Sequence, residues 1–492
     1  MAKRTIIFRA DGGPSIGMGH FTRTLALAEM LNEHFHCIFA TRQATENQVA
    51  EIEKICHGRI DLPLDDSHFD VFINQLKGDE IIVLDNYYFT TEYQKAIKTK
   101  GCKLVCIDDM HDKHYVADVV INHAPLNKSL FSTAIYTRLL IGLDYALLRN
   151  KFFQEQSKRE IPKTFNKVFL CIGGADFNNL TSKILDDLIE IEQIELITVV
   201  IGNAYQSYNN LIEKIDDYSK KKRIELFRNL DAGKLIEKMR LSDFAIVPCS
   251  TILLEAISQR VPVITGYYIE NQKEIAKNLK NKFNNILVLD DLNNTNIEHK
   301  YVEYLENSFE QPYAPLINKN TRERIITIFN SLKNEFELKV RNAEIKDTGT
   351  YFLWANNKSV RRNAINPEKI EYNNHIQWFK SKLGSKESFL YIFEKENSAI
   401  GQVRFDKIDS TYIVDYSIDE KFRGKGFGTS ILKLGLEKLN NECKSNVNCK
   451  VKALVKVNNR ASSKVFERFN FLNTGIIELK GSSFFEFEKE IK

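Results

Sequence analysis

The chain has 492 residues, 43% of them hydrophobic, enough for about three ordinary globular domains. Its 69 Lys and Arg nearly balance 65 Asp and Glu, a net charge of +4 that excludes a dedicated nucleic-acid binder. No apolar run approaches the ~18–20 residues of a membrane span, and the eight cysteines form neither a Cys-x-x-Cys pair nor a spacing suited to a metal.

The start, Met1-Ala2-Lys3-Arg4, leads into an apolar run too short for a signal peptide. Several cysteines sit in apolar, strand-like runs and read as buried reduced thiols, so a cytoplasmic protein is expected. Thr5-Ile6-Ile7-Phe8 reads as a strand and Phe21–Leu31 as a helix. Between them lies Asp11-Gly12-Gly13-Pro14-Ser15-Ile16-Gly17-Met18-Gly19-His20. A glycine-rich turn lets backbone approach a ligand, and the helix start offers unpaired N–H groups. His20 at that start suits a neutral imidazole ready to accept a proton, and equally a helix cap.

Alternation continues to about residue 150. Ile81–Leu84 ends in Asp85, Lys103–Ile107 in Asp108-Asp109, and Ala117–Ile121 in Asn122-His123. Continuous apolar strands with polar C-terminal ends predict a parallel sheet with a site along that edge. Asp11 and Asp85 are the catalytic candidates there, beside His20; capping the next helix is their other use.

A second alternation spans residues 151–336. Strand Lys167–Ile172 leads into Gly173-Gly174-Ala175-Asp176, then helix Thr181–Glu192 and strands Leu196–Ile201, Ile224–Phe227 and Phe244–Val247. Ser250-Thr251 opens a helix, which suits a diphosphate and also a plain N-cap. Glu255, one turn deeper, suits a ribose hydroxyl or solvent. Strand Val261–Ile264 precedes Asn271-Gln272, and Ile317–Phe336 reads as a closing helix.

Arg9-Ala10-Asp11 with Gly17-Met18-Gly19-His20 resembles the start of the UDP-sugar hydrolases of pseudaminic acid biosynthesis, which are similar to GT-B glycosyltransferases of the MurG type. Gly142–Arg149, at the crossover between halves, resembles the same family. The resemblance covers roughly residues 4–335 and implies a GT-B pair of Rossmann-type domains. It implies His20 as the general base that activates water at an anomeric carbon. It also implies that Gly17, Gly19, Gly173, Gly174, Ser250, Thr251, Glu255, Asn271 and Gln272 hold the UDP-sugar.

Glu337–Thr350 is charged without an apolar period and is expected to be a linker, with a third domain over 346–492. Phe389–Phe393, Ala399–Phe405 and Thr411–Ile418 read as antiparallel strands. Arg423-Gly424-Lys425-Gly426-Phe427-Gly428-Thr429 then opens a helix, and its amides can ring a pyrophosphate. Arg-x-x-Gly-x-Gly after an antiparallel strand is similar to the acetyl-CoA loop of the GNAT acetyltransferases, and Asn458–Ser462 with Val465–Phe471 resembles their terminal helix. The resemblance implies that Ile418, the 423–429 loop, Asn459 and Ser462 bind acetyl-CoA. Where many members carry a proton-donating tyrosine, this chain has Phe466, which leaves water, Asn459, Ser462 or Tyr416 for that role. His375 is a candidate base or a structural histidine beside Trp378; Asp415 and Glu420 are further candidates.

Together the resemblances imply an α/β chain, a GT-B-like pair followed by an α+β GNAT domain, that acetylates the 4-amino group of a UDP-amino sugar and then removes UDP. Acetyl-CoA is the expected co-substrate, no metal is expected, and fusion would raise the local concentration of the intermediate if the sites are close. The alternatives are a GT-B glycosyltransferase with an attached acetyltransferase, and a non-catalytic nucleotide-sugar sensor. Oligomeric state and sugar stereochemistry are open.

Overall fold

Three sheets carry the chain, and their registers place the functional edges. The computed structural model describes residues 3–13, 16–124, 127–154, 162, 164–280, 283, 286–297, 300, 301, 317 and 319–490 apart from 443–449. The first sheet contains β1 (Thr5–Ala10), β2 (His36–Arg42), β3 (Gly58–Leu62), β4 (Ile81–Asp85), β5 (Lys103–Ile107), β6 (Val119–Asn122) and β7 (Arg138–Ile141). All run parallel in the order β3-β2-β1-β4-β5-β6-β7. Strands β4, β5 and β6 are buried along their whole length, because helices cover both faces of a parallel sheet. Helix α1 (Gly19–Leu31) follows β1 directly.

The second sheet repeats the design with β8 (Lys167–Leu170), β9 (Leu196–Ile201), β10 (Arg223–Arg228), β11 (Phe244–Pro248), β12 (Val263–Tyr267) and β13 (Ile286–Asp291). The order is β10-β9-β8-β11-β12-β13, all parallel. Helix α2 (Thr251–Ser258) follows β11, and α3 (Glu270–Leu279) follows β12. Helix α4 (Lys319–Glu335) buries Ile325, Phe329 and Leu332, spaced at helical intervals, in the core shared by both halves.

The third sheet is mixed. It contains β14 (Leu338–Asn342), β15 (Ser388–Lys395), β16 (Ser398–Ile408), β17 (Thr411–Ile418), β18 (Lys450–Lys456), β19 (Leu472–Leu479) and β20 (Ser482–Glu490), in the order β14-β15-β16-β17-β18-β20-β19. Only β17 and β18 pair in parallel. Helices α5 (Phe427–Glu442) and α6 (Arg460–Arg468) pack on it. The stretch expected to be a linker supplies β14, paired antiparallel with β15, so the third domain begins directly after α4. Leu338 and Val340 join the apolar cluster while Lys339 between them is exposed, a period of two that the charges disguise.

The third domain is bolted to the other two. Lys433 of α5, fully buried, donates to Asp118, to Glu335 of α4 at 3.0 Å and to Glu437 at 3.0 Å. Lys98 bridges Asp118 and Glu437 at 3.0 and 2.9 Å, and Lys103 meets Glu335 at 3.2 Å. Ala134, Ile135 and Tyr136 lie in one apolar cluster with Leu338 and Ile431. Asp118 precedes β6 and Lys103 opens β5, so this junction occupies the N-terminal edge of the first sheet.

Burial pushes Glu437 and Asp118 up, but Lys433, Lys98 and Lys103 together more than offset it, holding Asp118 far below the carboxylate range and Glu437 at about 2. Both pKa values are depressed, so the stabilisation is complete above the unfolded value of about 4 and is lost as pH falls toward 2. Lys433→Met removes the central cation of the cluster, leaving Lys98 and Lys103 to face three carboxylates, and should cost about 3–5 kcal/mol in urea unfolding at neutral pH, with a smaller difference from wild type at pH 3.

Candidate active sites

The C-terminal edge of the first sheet carries the first site. Gly17 has φ +76°, and a Cβ there would meet only open space, so the turn before α1 stays clear for a ligand. Met18 abuts Gly174 of the second half: a Cβ on Gly174 would sit 3.7 Å from Met18 Cβ. Gly19 and His20 open α1.

His20 is 4% exposed, and its Nδ1 lies 2.7 Å from Asp85 Oδ1. Arg23, one turn along α1, donates from Nε to Asp85 Oδ2 at 2.7 Å, and Thr24 donates to the same oxygen at 2.7 Å. Burial pushes Asp85 up, but Arg23 and His20 more than offset it and hold the carboxyl well below the usual range. An ionised carboxylate only accepts, so the Nδ1 contact places the imidazole proton there and leaves Nε2 basic. The Arg23 guanidinium lies 3.0 Å from Nδ1. The Tyr87 ring stands edge-on to His20 at 4.5 Å, and Asn271 of α3 donates to the Tyr87 hydroxyl at 2.7 Å. Asp109 accepts from Arg23 at 3.0 Å and from Tyr87 at 3.3 Å.

The remaining residues of this region divide in two. The Asp11 carboxylate takes Arg9 at 2.6 Å, the Arg42 backbone N–H at 2.8 Å and the Tyr88 hydroxyl, tying the end of β1 to β2. Glu255 accepts from Arg149 at 2.8 Å, and Gln272 accepts the Tyr268 N–H at 3.2 Å, bracing the turn before α3. Gly173 has φ +101° and faces open space, while the Ser250 side chain makes no capping bond, leaving the α2 start open. Arg23, Tyr87 and His123 were not singled out from sequence. The i, i+3 spacing of His20 and Arg23 was the available signal for one. Burial, then Arg23, pushes His123 down to about 4, and its Nδ1 has no hydrogen-bond partner among the described residues.

The second site lies in the third domain, in a cavity of about 1870 Å3. Pairing of β17 and β18 ends at Ile413 and Lys452, and beyond it Val414–Ile418 and Leu454–Lys456 line the cavity. Gly424 and Gly426 have φ +74° and +84° with open space at their Cβ positions, as a phosphate-cradling loop requires. Arg423 is committed to holding that loop: Nε donates to the Ile418 carbonyl at 2.9 Å, and the guanidinium reaches Asn357 at 3.2 Å and Ser359. Thr429 accepts from Arg468 at 3.1 Å, and Lys425 lies 5.6 Å from the Phe422 ring. Phe427 and Gly428 begin α5 at the cavity wall.

Asn459 caps α6 by accepting the Ser462 N–H at 3.2 Å. The Ser462 hydroxyl lies 3.0 Å from the Tyr416 hydroxyl, and burial pushes Tyr416 up to about 12, so it stays protonated. Phe466 packs edge-on against Tyr416 and stacks with Phe487. A protonated phenol beside a serine, at the wall of the slot, can hand a proton to a departing thiolate. His375 is buried with Nε2 3.1 Å from the Thr348 carbonyl, Asp415 accepts from Gln402 at 3.0 Å, and Glu420 accepts from Asn357 at 3.0 Å. Among the described residues no group of His, Cys, Asp and Glu is placed to hold a metal, and no helix is long and apolar enough to cross a membrane.

Residues 337–472 match the family model described as acetyltransferase (GNAT) domain. An uncharacterized protein of Methanocaldococcus jannaschii is 26% identical over 485 residues, covering 94% of this chain and 96% of its own length. UDP-2,4-diacetamido-2,4,6-trideoxy-beta-L-altropyranose hydrolase of Campylobacter jejuni is 27% identical over 285 residues, covering 56% of this chain and 96% of its own. Spore coat polysaccharide biosynthesis protein SpsG of Bacillus subtilis is 26% identical over 277 residues, 54% of this chain and 78% of its own. The N-terminal region is thus homologous to that hydrolase and to SpsG, and it is followed by a GNAT acetyltransferase domain.

The proton placement at His20 is directly measurable. Long-range 15N NMR at pH 7.5 should show the Nδ1–H tautomer. Asp85→Asn, whose amide can donate to Nδ1, should shift the ring toward Nε2–H; an unchanged tautomer would contradict the orienting role of Asp85.

Proposed function

We propose that this chain is a bifunctional enzyme of pseudaminic acid biosynthesis. The GNAT domain acetylates the 4-amino group of a UDP-amino sugar with acetyl-CoA, and the paired Rossmann-type halves hydrolyse UDP from the resulting UDP-2,4-diacetamido-2,4,6-trideoxy-β-L-altropyranose. The observation that carries this reading is the His20–Asp85 pair beside Tyr87, whose hydroxyl accepts from Asn271 of the other half. Related sugar-pathway proteins over the same region support it.

In the hydrolytic step, His20 Nε2 takes a proton from water as its oxygen attacks the anomeric carbon. The bond from that carbon to the UDP oxygen breaks, and the charge that develops on UDP falls at the start of α2, beside Ser250 and Thr251. Asp85 stabilises the imidazolium formed. Asn271, Gly173 and Gly174 flank the cleft from the second half, and Arg149 holds Glu255 in position toward the nucleotide.

In the acetyl-transfer step, the sugar amine attacks the thioester carbonyl. The carbon–sulfur bond breaks, and Tyr416, hydrogen-bonded to Ser462, delivers a proton to the thiolate, while the proton that the attacking nitrogen sheds passes to water and Tyr416 is reprotonated from water. The donor's pyrophosphate rests on the amides of the 423–429 loop.

Mass spectrometry of the chain with acetyl-CoA and UDP-4-amino-4,6-dideoxy-N-acetyl-altrosamine should detect free diacetamido sugar and UDP. With His20→Ala the acetylated UDP-sugar should accumulate while UDP release falls by roughly 10²–10⁴-fold. Transfer of the sugar to an acceptor in place of free sugar would overturn the hydrolase reading. Tyr416→Phe should lower kcat for acetylation by about 10–100-fold with little change in the KM for acetyl-CoA. An unchanged kcat would remove Tyr416 as the acid.

A further inference from the structure

The cavity of the acetyltransferase domain is not walled by that domain alone. Its lining continues onto Arg138 of β7, Tyr145, and Arg324, Thr327 and Ser331 of α4. The junction explains why. Glu335, at the end of α4, is level with Lys433 of α5, and one turn earlier Ser331 accepts from Arg138 at 2.8 Å. Arg468 of α6 donates to Thr429 in the first turn of α5. Helix α4 therefore runs alongside α5, and Arg324, two turns before Ser331, lines the same cavity as the glycine loop.

Three cations from three parts of the chain converge there. Arg138, Arg324 and Arg468 all lie close enough to Tyr145 to act electrostatically on its hydroxyl. Arg324 is held by Asp144 at 2.6 Å. Arg138 is 4% exposed, its Nε and one terminal nitrogen have no hydrogen-bond partner among the described residues, and the nearest Glu335 contact to that nitrogen is 4.0 Å. Glu335 is shared with Lys103 and Lys433, so the Arg138 guanidinium at the cavity wall is only partly compensated. Ten lysines and arginines against three acidic residues line the whole cavity, so its field favours a ligand with several negative charges.

Geometry sets which end of the ligand arrives. Ser462, beside Tyr416, and Arg468 are separated by six residues of α6, about 9 Å. A donor whose thioester enters the slot between β17 and β18, and whose pyrophosphate rests on the loop, must send its remaining end toward Arg468 and α4. We propose that the acyl-donor site is shared between regions: Arg138 and Arg324 of the hydrolase-like region, with Arg468 of the acetyltransferase domain, bind the 3′-phosphate of coenzyme A. This rests on the reading of acetyl-CoA as donor.

Calorimetric titration of the full chain with CoA and with 3′-dephospho-CoA tests it. Wild type should bind CoA tighter by on the order of tenfold to a hundredfold, as charge-assisted contacts to one phosphate would give. Arg324→Ala and Arg468→Ala, checked for unchanged thermal melting, should each remove most of that preference while leaving dephospho-CoA affinity within about twofold. Equal wild-type affinity for the two ligands, or variants that keep the preference or weaken both ligands alike, would overturn the shared site while leaving acetyl-CoA as donor. Absence of binding by either ligand would overturn the donor reading beneath it as well.

Discussion

Three lysines and three carboxylates, with Lys433, Asp118 and Glu335 closed off from water at their centre, decide how this chain is assembled. Lys433 is fully buried, so its charge is tolerable only while Asp118, Glu335 and Glu437 surround it. Asp118 comes from the first sheet, Glu335 from the helix that closes the second half, and Lys433 and Glu437 from the third domain. Any sliding of one part would leave a buried charge unpaired, so the cluster specifies one docking geometry. The apolar contact of Ala134, Ile135 and Tyr136 with the third domain supplies non-directional burial beside it.

Two consequences follow for function. The junction takes the N-terminal edge of the first sheet, which leaves the C-terminal edge, with His20 and Asp85, facing the second half. Strands β4 and β5 each run five residues, about 17 Å, between that edge and the junction. The same docking lays α4 along α5 and carries a polar stripe of the hydrolase-like region into the acetyltransferase cavity.

At the C-terminal edge of the first sheet, opposed charges meet around one ring. Asp85 and Arg23, at 2.7 and 3.0 Å from the same nitrogen of His20, fix its orientation. Thr24 and Asp109 hold the carboxylate and the guanidinium in turn, so the His20 ring is braced largely from the helix that presents it.

Much of this was legible in the residues. Continuous apolar strands ending in polar residues identified the parallel sheets, because burial on both faces removes any alternation. Glycines at 17, 173, 424 and 426 marked turns that need positive φ, a local backbone property. The family resemblances carried the functional reading further than periodicity did. Strand β14 escaped because Lys339 and Arg341 broke the apolar signal of a strand half covered by the sheet. Partnerships also escaped: that Arg423 serves Asn357 and Ser359, that Glu255 is held by Arg149, and that Lys433 meets Asp118 across 315 positions. Sequence alone determined which segments become strand, turn and helix, since those choices depend on neighbours within a few residues. Only the tertiary structure decided which charges face one another, because an ion pair is set by distance in space and by exclusion of water, and neither is written in the order of the chain.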